Sequence, residues 1–192
     1  MEKIKGSILA VSAPSGAGKT TIVRKILKDI PELVFSVSAT TRKRREEEKE
    51  GVHYYFISED EFKKKIENNE FIEWEKFYDY YYGTYKSVVD NAINSGKSIL
   101  LEVDVKGALS LKSIYPESVL IYIVPPSFDE LVNRLKNRNT EDETDFQKRI
   151  ERAEMELEQK DKFDYFIENI QLETAMLKTE KLIRKIISKE KN

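Results

Sequence analysis

Residues 12–21, SAPSGAGKTT, constrain this chain more than any other stretch. They meet the pattern Gly-x-x-x-x-Gly-Lys-(Ser/Thr) at every position but the first, where Ala13 stands in place of glycine. Such a loop works in one setting only: a buried strand ends at it and a helix starts from it, so that backbone N–H groups and the helix N-terminus converge on a phosphate. Both flanks fit. SILAVS (7–12) is a short apolar run, and Ile22, Val23, Ile26 and Leu27 recur at helical spacing before Pro31. Gly16 and Gly18 stand where backbone must approach phosphate closely, and Ala13 adds one methyl at the entrance. Ala13, Pro14, Ser15, Gly16, Ala17, Gly18, Lys19, Thr20 and Thr21 are therefore candidate ligands of a nucleoside triphosphate. Lys19 would reach the transferred phosphoryl group and Thr20 would hold Mg²⁺. An ordinary glycine-rich turn is the competing account, and the flanking strand and helix argue against it.

Two further apolar runs, SILLEV (98–103) and SVLIYIV (118–124), lack polar alternation, as strands buried on both faces do. Helical patterns separate the strands, including YKSVVDNAINSG, which ends at a glycine suited to a C-cap. The alternation predicts an α/β fold, a three-layer α/β/α core around a parallel sheet. SEDE (58–61) and SFDE (127–130) read as capping boxes that open two more helices. The stretch from Arg134 to about residue 160 is nearly all polar and reads as a mobile helical hairpin, a lid. Leu172, Met176, Ile183 and Ile186 form one stripe of a last helix expected to dock on the sheet. Residues 34–97 break the alternation with aromatic, turn-rich sequence. The expected layout is thus one domain with a core of 1–33, 98–133 and 161–192, an inserted lobe at 34–97 and a lid at 134–160.

Composition narrows the function. With 33 basic and 35 acidic side chains the net charge is −2, so neither nucleic acid nor an anionic membrane is an expected partner. Zero Cys and a single histidine, His53, exclude disulfides, thiolate zinc sites, cysteine nucleophiles and multi-histidine metal sites. Any metal must be a hard ion held by oxygens. The apolar run in MEKIKGSILAVSA is too short for a membrane span and leads into the loop, so a cytoplasmic location is expected.

The lobe points to the second substrate. FSVSATTRKRR carries Ser38, Arg42 and Arg45 beyond a strand; GVHYYF carries Tyr54; FIEW and YYGT carry Glu73, Tyr82 and Thr84. With these motifs the chain resembles the guanylate kinase family from the phosphate loop to the last helix. The resemblance implies Mg²⁺-dependent transfer of the ATP γ-phosphoryl group to GMP, and to dGMP, within purine nucleotide metabolism. It assigns Arg42, Arg45, Tyr54 and Tyr82 to the GMP phosphate, and Ser38, Glu73 and Thr84 to the guanine. The chemistry agrees. Guanidinium forks and phenols donate to phosphate oxygens. A carboxylate accepts from N1–H and the 2-amino group of guanine, which adenine does not offer, while hydroxyls donate to O6. The other tyrosines, Tyr78, Tyr80, Tyr81 and Tyr85, read more simply as packing of a small lobe, and RKRREEEKE competes as a solvated charged loop.

Glu102 and Asp104, two residues apart at the end of SILLEV, match family acids near the guanine and the Mg²⁺ waters, although the family usually has Asp at the first position. Arg134, Arg138 and Arg149 match lid arginines that close over ATP, and Asn169 matches a residue that contacts adenine. Lys19, Arg42, Arg138 and Arg149 are the expected catalytic set, neutralising charge during an in-line transfer. Three features depart from the family. The loop Lys43, Arg44, Arg45, Glu46, Glu47, Glu48 lacks the usual Pro and Gly and is expected to be more flexible; Asn139 replaces a lid glycine; and Ile170 stands where an acid is usual. Two other readings stay open: a guanylate-kinase-like module that binds protein without turnover, and a kinase with a different acceptor. Monomer and homodimer are both compatible with the sequence.

Overall fold

The computed structural model describes residues 6–77, 79–136 and 143–189. β1 (Ile8–Ser12) runs through the middle of a five-stranded parallel sheet with β2 (Val34–Ser36), β7 (Ile99–Glu102), β8 (Val119–Val124) and β9 (Tyr165–Glu168), in the order β2-β7-β1-β8-β9. The lack of alternation in β1 has a direct cause. Leu9 and Val11 pack toward α1 (Lys19–Asp29), α5 (Phe128–Lys136) and α7 (Leu172–Lys189), while Ile8 and Ala10 pack toward α3 (Lys86–Asn94) and α4 (Val105–Ile114). Both faces are covered, so both sets of side chains must be apolar.

The two edge strands are not apparent in the sequence. β2 is three residues long, and Tyr165, Phe166 and Glu168 of β9 are exposed, so neither carries the continuous apolar run of a central strand. β2 and α3 fall inside the 34–97 stretch yet belong to the main sheet and its cover. What the stretch adds is a second sheet, order β4-β3-β6-β5, from β3 (Ala39–Thr40), β4 (Tyr55–Phe56), β5 (Phe71–Phe77) and β6 (Tyr80–Tyr85). One face closes on α2 (Glu59–Glu67), where Phe62 stacks on Phe71 at 4.5 Å and Tyr81 and Tyr85 pack alongside. Because strand side chains alternate, Tyr82 and Thr84 are left on the other face of β6, opposite Glu75 and Glu73 of β5.

Helix ends follow the sequence signals. Ser58 and Ser127 accept the backbone N–H of Glu61 and Glu130 at 3.2 and 3.1 Å. α3 closes with Gly96 N–H on Ile93 and Lys97 N–H on Ala92, a Schellman end. α7 docks as its stripe predicts, with Ile183 and Ile187 buried and Leu172, Met176 and Ile186 partly so. The lid expectation needs correcting in one respect. α6 (Glu143–Leu157) is not polar all round: Phe146, Ile150, Ala153 and Leu157 lie one or two turns apart and pack on the main core, with Ala153 fully buried. A stripe this thin suffices because alanine lets the helix approach closely. No helix among the described residues is long and apolar enough to cross a membrane.

Candidate active site

β1 delivers the chain into the phosphate loop at the carboxyl end of the sheet, where its neighbours β7 and β8 also open. Gly16 and Gly18 hold φ of 89° and 92°, a region that suits glycine and lets consecutive N–H groups turn inward. A methyl on Gly18 would lie 2.5 Å from Asn169 Nδ2. That nitrogen donates to Ala17 O at 2.8 Å, and an Arg134 guanidinium nitrogen donates to the Asn169 carbonyl at 3.3 Å. Buried Asn169, expected at the adenine, therefore braces the loop from behind, and Arg134 braces Asn169. Ala13 is buried in the main core, which accounts for an apolar methyl being tolerated there.

Lys19 Nζ donates to the Val103 carbonyl at 2.8 Å, and the Thr20 hydroxyl donates to Glu102 Oε1 at 2.5 Å. Thr20 and Glu102 form an oxygen pair beside the loop. Mg²⁺ is usually held by one or two such groups, with waters and substrate phosphates filling its octahedron, so this donor set fits it. Among the described residues no group of three or more acidic or histidine side chains is arranged to hold a metal by itself.

The adjacent carboxylate faces elsewhere. Asp104 caps α4, accepting Gly107 N–H at 2.6 Å, and its second oxygen accepts from Arg152 at 2.8 Å. The two acids read from the sequence as one pair thus divide, Glu102 to the phosphate loop and Asp104 to Arg152 on α6. The strand ends between them, so their period-two relation is lost. Burial works against the Asp104 carboxylate, but the hydrogen bond from Gly107 N–H and the charges of Arg152 and Lys19 hold it below the usual range.

Glu73 lies next to Asp104, so close to Gly107 that a methyl there would touch its carboxyl at 3.0 Å. Its Oε1 accepts from the buried Thr84 hydroxyl at 2.6 Å, an arrangement that orients the carboxyl group. Burial, followed by the nearby charges of Asp104 and Glu75, pushes Glu73 up to about 7, with Thr84 and Lys19 opposing. Ser38 precedes β3, its carbonyl accepting Tyr55 N–H.

Arg42, expected at the acceptor phosphate, already has a carboxylate partner. Arg42 meets Glu48 fork to fork at 3.0 and 2.6 Å, and Glu48 also accepts Arg45 N–H at 2.8 Å. The hydrogen bonds from Arg42 pull Glu48 down to about 2. The ring of Tyr54 lies under the Arg42 guanidinium at 5.5 Å and against Tyr82 at 6.0 Å. Burial, with Glu102 next, raises Tyr54, so its phenol keeps a proton to donate. The loop expected to be more flexible is tied through Glu48, whose backbone carbonyl also accepts from Arg44 at 2.7 Å. Arg149 stands on α6, one turn before Arg152. Arg138 and Asn139 lie outside the described residues, as does Tyr78.

Sequence reasoning passed over Glu48, Glu75 and Arg152. The signals were present but common: Glu73-x-Glu75 shares a strand face, and Arg149 and Arg152 share a helix face. Charged residues at such spacing are usually solvated, and only the fold brings these ones together.

The chain has relatives among known proteins over nearly its whole length. Residues 5–186 match the family model described as guanylate kinase. The chain is similar to the guanylate kinase of Thermotoga maritima, 44% identical over 94% of this chain and 87% of that one. It is similar to that of Clostridioides difficile, 44% identical over 98% and 90%. Among solved structures it is similar to guanylate kinase from Anaplasma phagocytophilum, with a TM-score of 0.77 and 30% identity over 96% of this chain and 88% of that one.

Proposed function

The chain belongs to the guanylate kinase family, and we propose that it uses Mg²⁺-bound ATP to phosphorylate GMP and dGMP, giving the diphosphate and ADP, through the residues placed above. The single observation that carries the acceptor assignment is Glu73, half-buried, oriented by Thr84 and set across from the phosphate loop. Ionised, it accepts from both N1–H and the 2-amino group of guanine. Opposite adenine it would lose both of these donors and keep only Thr84, a mismatch that rejects an analogue by about 10⁴-fold.

In the reaction, the loop N–H groups and Lys19 hold the triphosphate, and Thr20 and Glu102 would hold Mg²⁺, which supplies charge neutralisation at the phosphates. Arg42, Arg45, Tyr54 and Tyr82 seat the acceptor phosphate. Because Glu48 fills the Arg42 fork, the acceptor phosphate takes up free donor positions on Arg42 or displaces Glu48. Arg134 and Arg149 stand on α5 and α6, and closure of these helices over the substrates would exclude water that otherwise hydrolyses ATP.

The test is ADP formation from Mg²⁺-ATP with GMP, dGMP, AMP, CMP and UMP offered singly. Turnover restricted to the two guanine nucleotides is expected. Binding of ATP and GMP without turnover would instead favour a non-catalytic binding module, and turnover with another monophosphate a different acceptor.

A pH dependence follows from Glu73. Guanine needs the carboxylate, but the free protein holds it protonated below about pH 7. GMP affinity is therefore expected to be flat above that pH and to fall about tenfold per unit below it. The phosphate of GMP, with a second pKa of about 6, adds its own slope, so Glu73→Gln serves as the reference that lacks the carboxyl contribution. Folding runs the other way. Between the ordinary value of 4.5 and about 7 the folded chain holds a proton that the unfolded chain has lost, so this group's contribution to stability declines as pH rises through that window.

A further inference from the structure

We infer that Arg152 is a positioning residue that fixes the lid helix α6 to the acceptor-base pocket. The inference rests on Glu73 and Asp104 facing the acceptor. One guanidinium nitrogen of Arg152 donates to Glu75 Oε2 at 2.7 Å and to Asp104 Oδ2 at 2.8 Å, and Nε donates to Glu156 Oε1 at 2.9 Å. The three carboxylates belong to three parts of the fold: β5 of the second sheet, the turn from β7 into α4, and α6 itself. All four side chains are half-buried, so the bonds are charge-assisted in surroundings that screen them less than open solvent does.

The partners are the walls of the pocket. Glu75 lies two residues from Glu73 on the same strand face, and Asp104 caps the helix whose Gly107 abuts the Glu73 carboxyl. Without the cation, Glu75 and Asp104 would repel each other and the gap between β5 and α4 would widen around Glu73. The same guanidinium anchors α6 one turn beyond Arg149, so the pocket beside Glu73 and Asp104 and the helix that carries Arg149 share one support. A lysine reproduces this only in part, because its donors sit on a single nitrogen, whereas Arg152 spreads its contacts over Nε and a terminal nitrogen.

The test compares the full chain with Arg152→Met, Arg152→Lys and Glu75→Gln, measuring kcat, the KM for GMP, the KM for ATP and Tm. Arg152→Met is expected to raise the KM for GMP about tenfold or more and to lower kcat, with the KM for ATP within about twofold of the parent. Arg152→Lys should fall between, and Arg152→Met combined with Glu75→Gln should be no worse than Arg152→Met alone, since both remove the same link. Equal rises in both KM values, fully additive effects, or a lowered Tm with an unchanged KM for GMP would each overturn the inference, since a merely structural ion pair behaves so. If Arg152→Met does not fold, Arg152→Lys and Glu75→Gln carry the comparison. GMP turnover by the parent is the control: its absence overturns the acceptor assignment, whereas its presence with insensitive variants overturns only the role of Arg152.

Discussion

Glu73→Gln is expected to lower kcat/KM for GMP by about 10³-fold or more while leaving the KM for ATP unchanged. The substitution keeps the shape and the Thr84 hydrogen bond, whose acceptor is Oε1. What it changes is the second atom, which becomes an amide N–H₂ facing guanine's own donors, so one favourable contact turns into an opposed pair of donors. Stability separates this from general damage. Since burial disfavours the ionised Glu73, the amide variant is expected to unfold at an equal or higher denaturant concentration than the parent at pH 8. A variant that retains GMP selectivity, or that loses ATP and GMP affinity together, would count against guanine being read by this side chain.

Lys19→Ala is expected to have the other large effect, a fall in kcat of about 10³-fold with the fold intact. Phosphoryl transfer leaves a protein little to do except align the two phosphates and neutralise charge between them. Lys19 sits where both needs meet. Its ammonium lies on the Val103 carbonyl, and its charge reaches Glu73 and Asp104. The structural loss is one partly exposed hydrogen bond, worth about 1 kcal/mol, so circular dichroism and Tm should change little. Unchanged turnover would remove Lys19 from the chemistry; a collapsed Tm would mean that its bond to Val103 is structural first.

How far the residues alone led depends on how local each signal is. The phosphate loop was readable because its chemistry is contained in consecutive residues: a strand, glycines at φ positions that other residues avoid, a lysine and a hydroxyl at fixed offsets. The central strands were readable because burial on both faces leaves no polar alternation. The edge strands β2 and β9 were not, since an edge strand needs only half the apolar content and its assignment depends on which neighbour it pairs with. α6 misled for a related reason: four apolar positions spread over three turns look sparse in a polar sequence, until the core surface that receives them is known.

The site divides the same way. Which residues are candidates for the chemistry could largely be named from the sequence: Lys19, Thr20, Glu102 and Asp104 lie at the carboxyl end of the main sheet, and Arg42, Tyr54, Glu73, Tyr82 and Thr84 lie on or beside the second one. What each of them touches was decided by the tertiary structure. Asn169 braces the loop, Glu102 and Asp104 face different partners although two residues apart, Glu48 fills the Arg42 fork, and Arg152 gathers acids from β5, α4 and α6. The physical reason is range. Backbone conformation and strand or helix periodicity are set by neighbours within a few residues, whereas ion pairs and buried carboxylates take their energy from groups far away in the chain, 77 positions between Glu75 and Arg152.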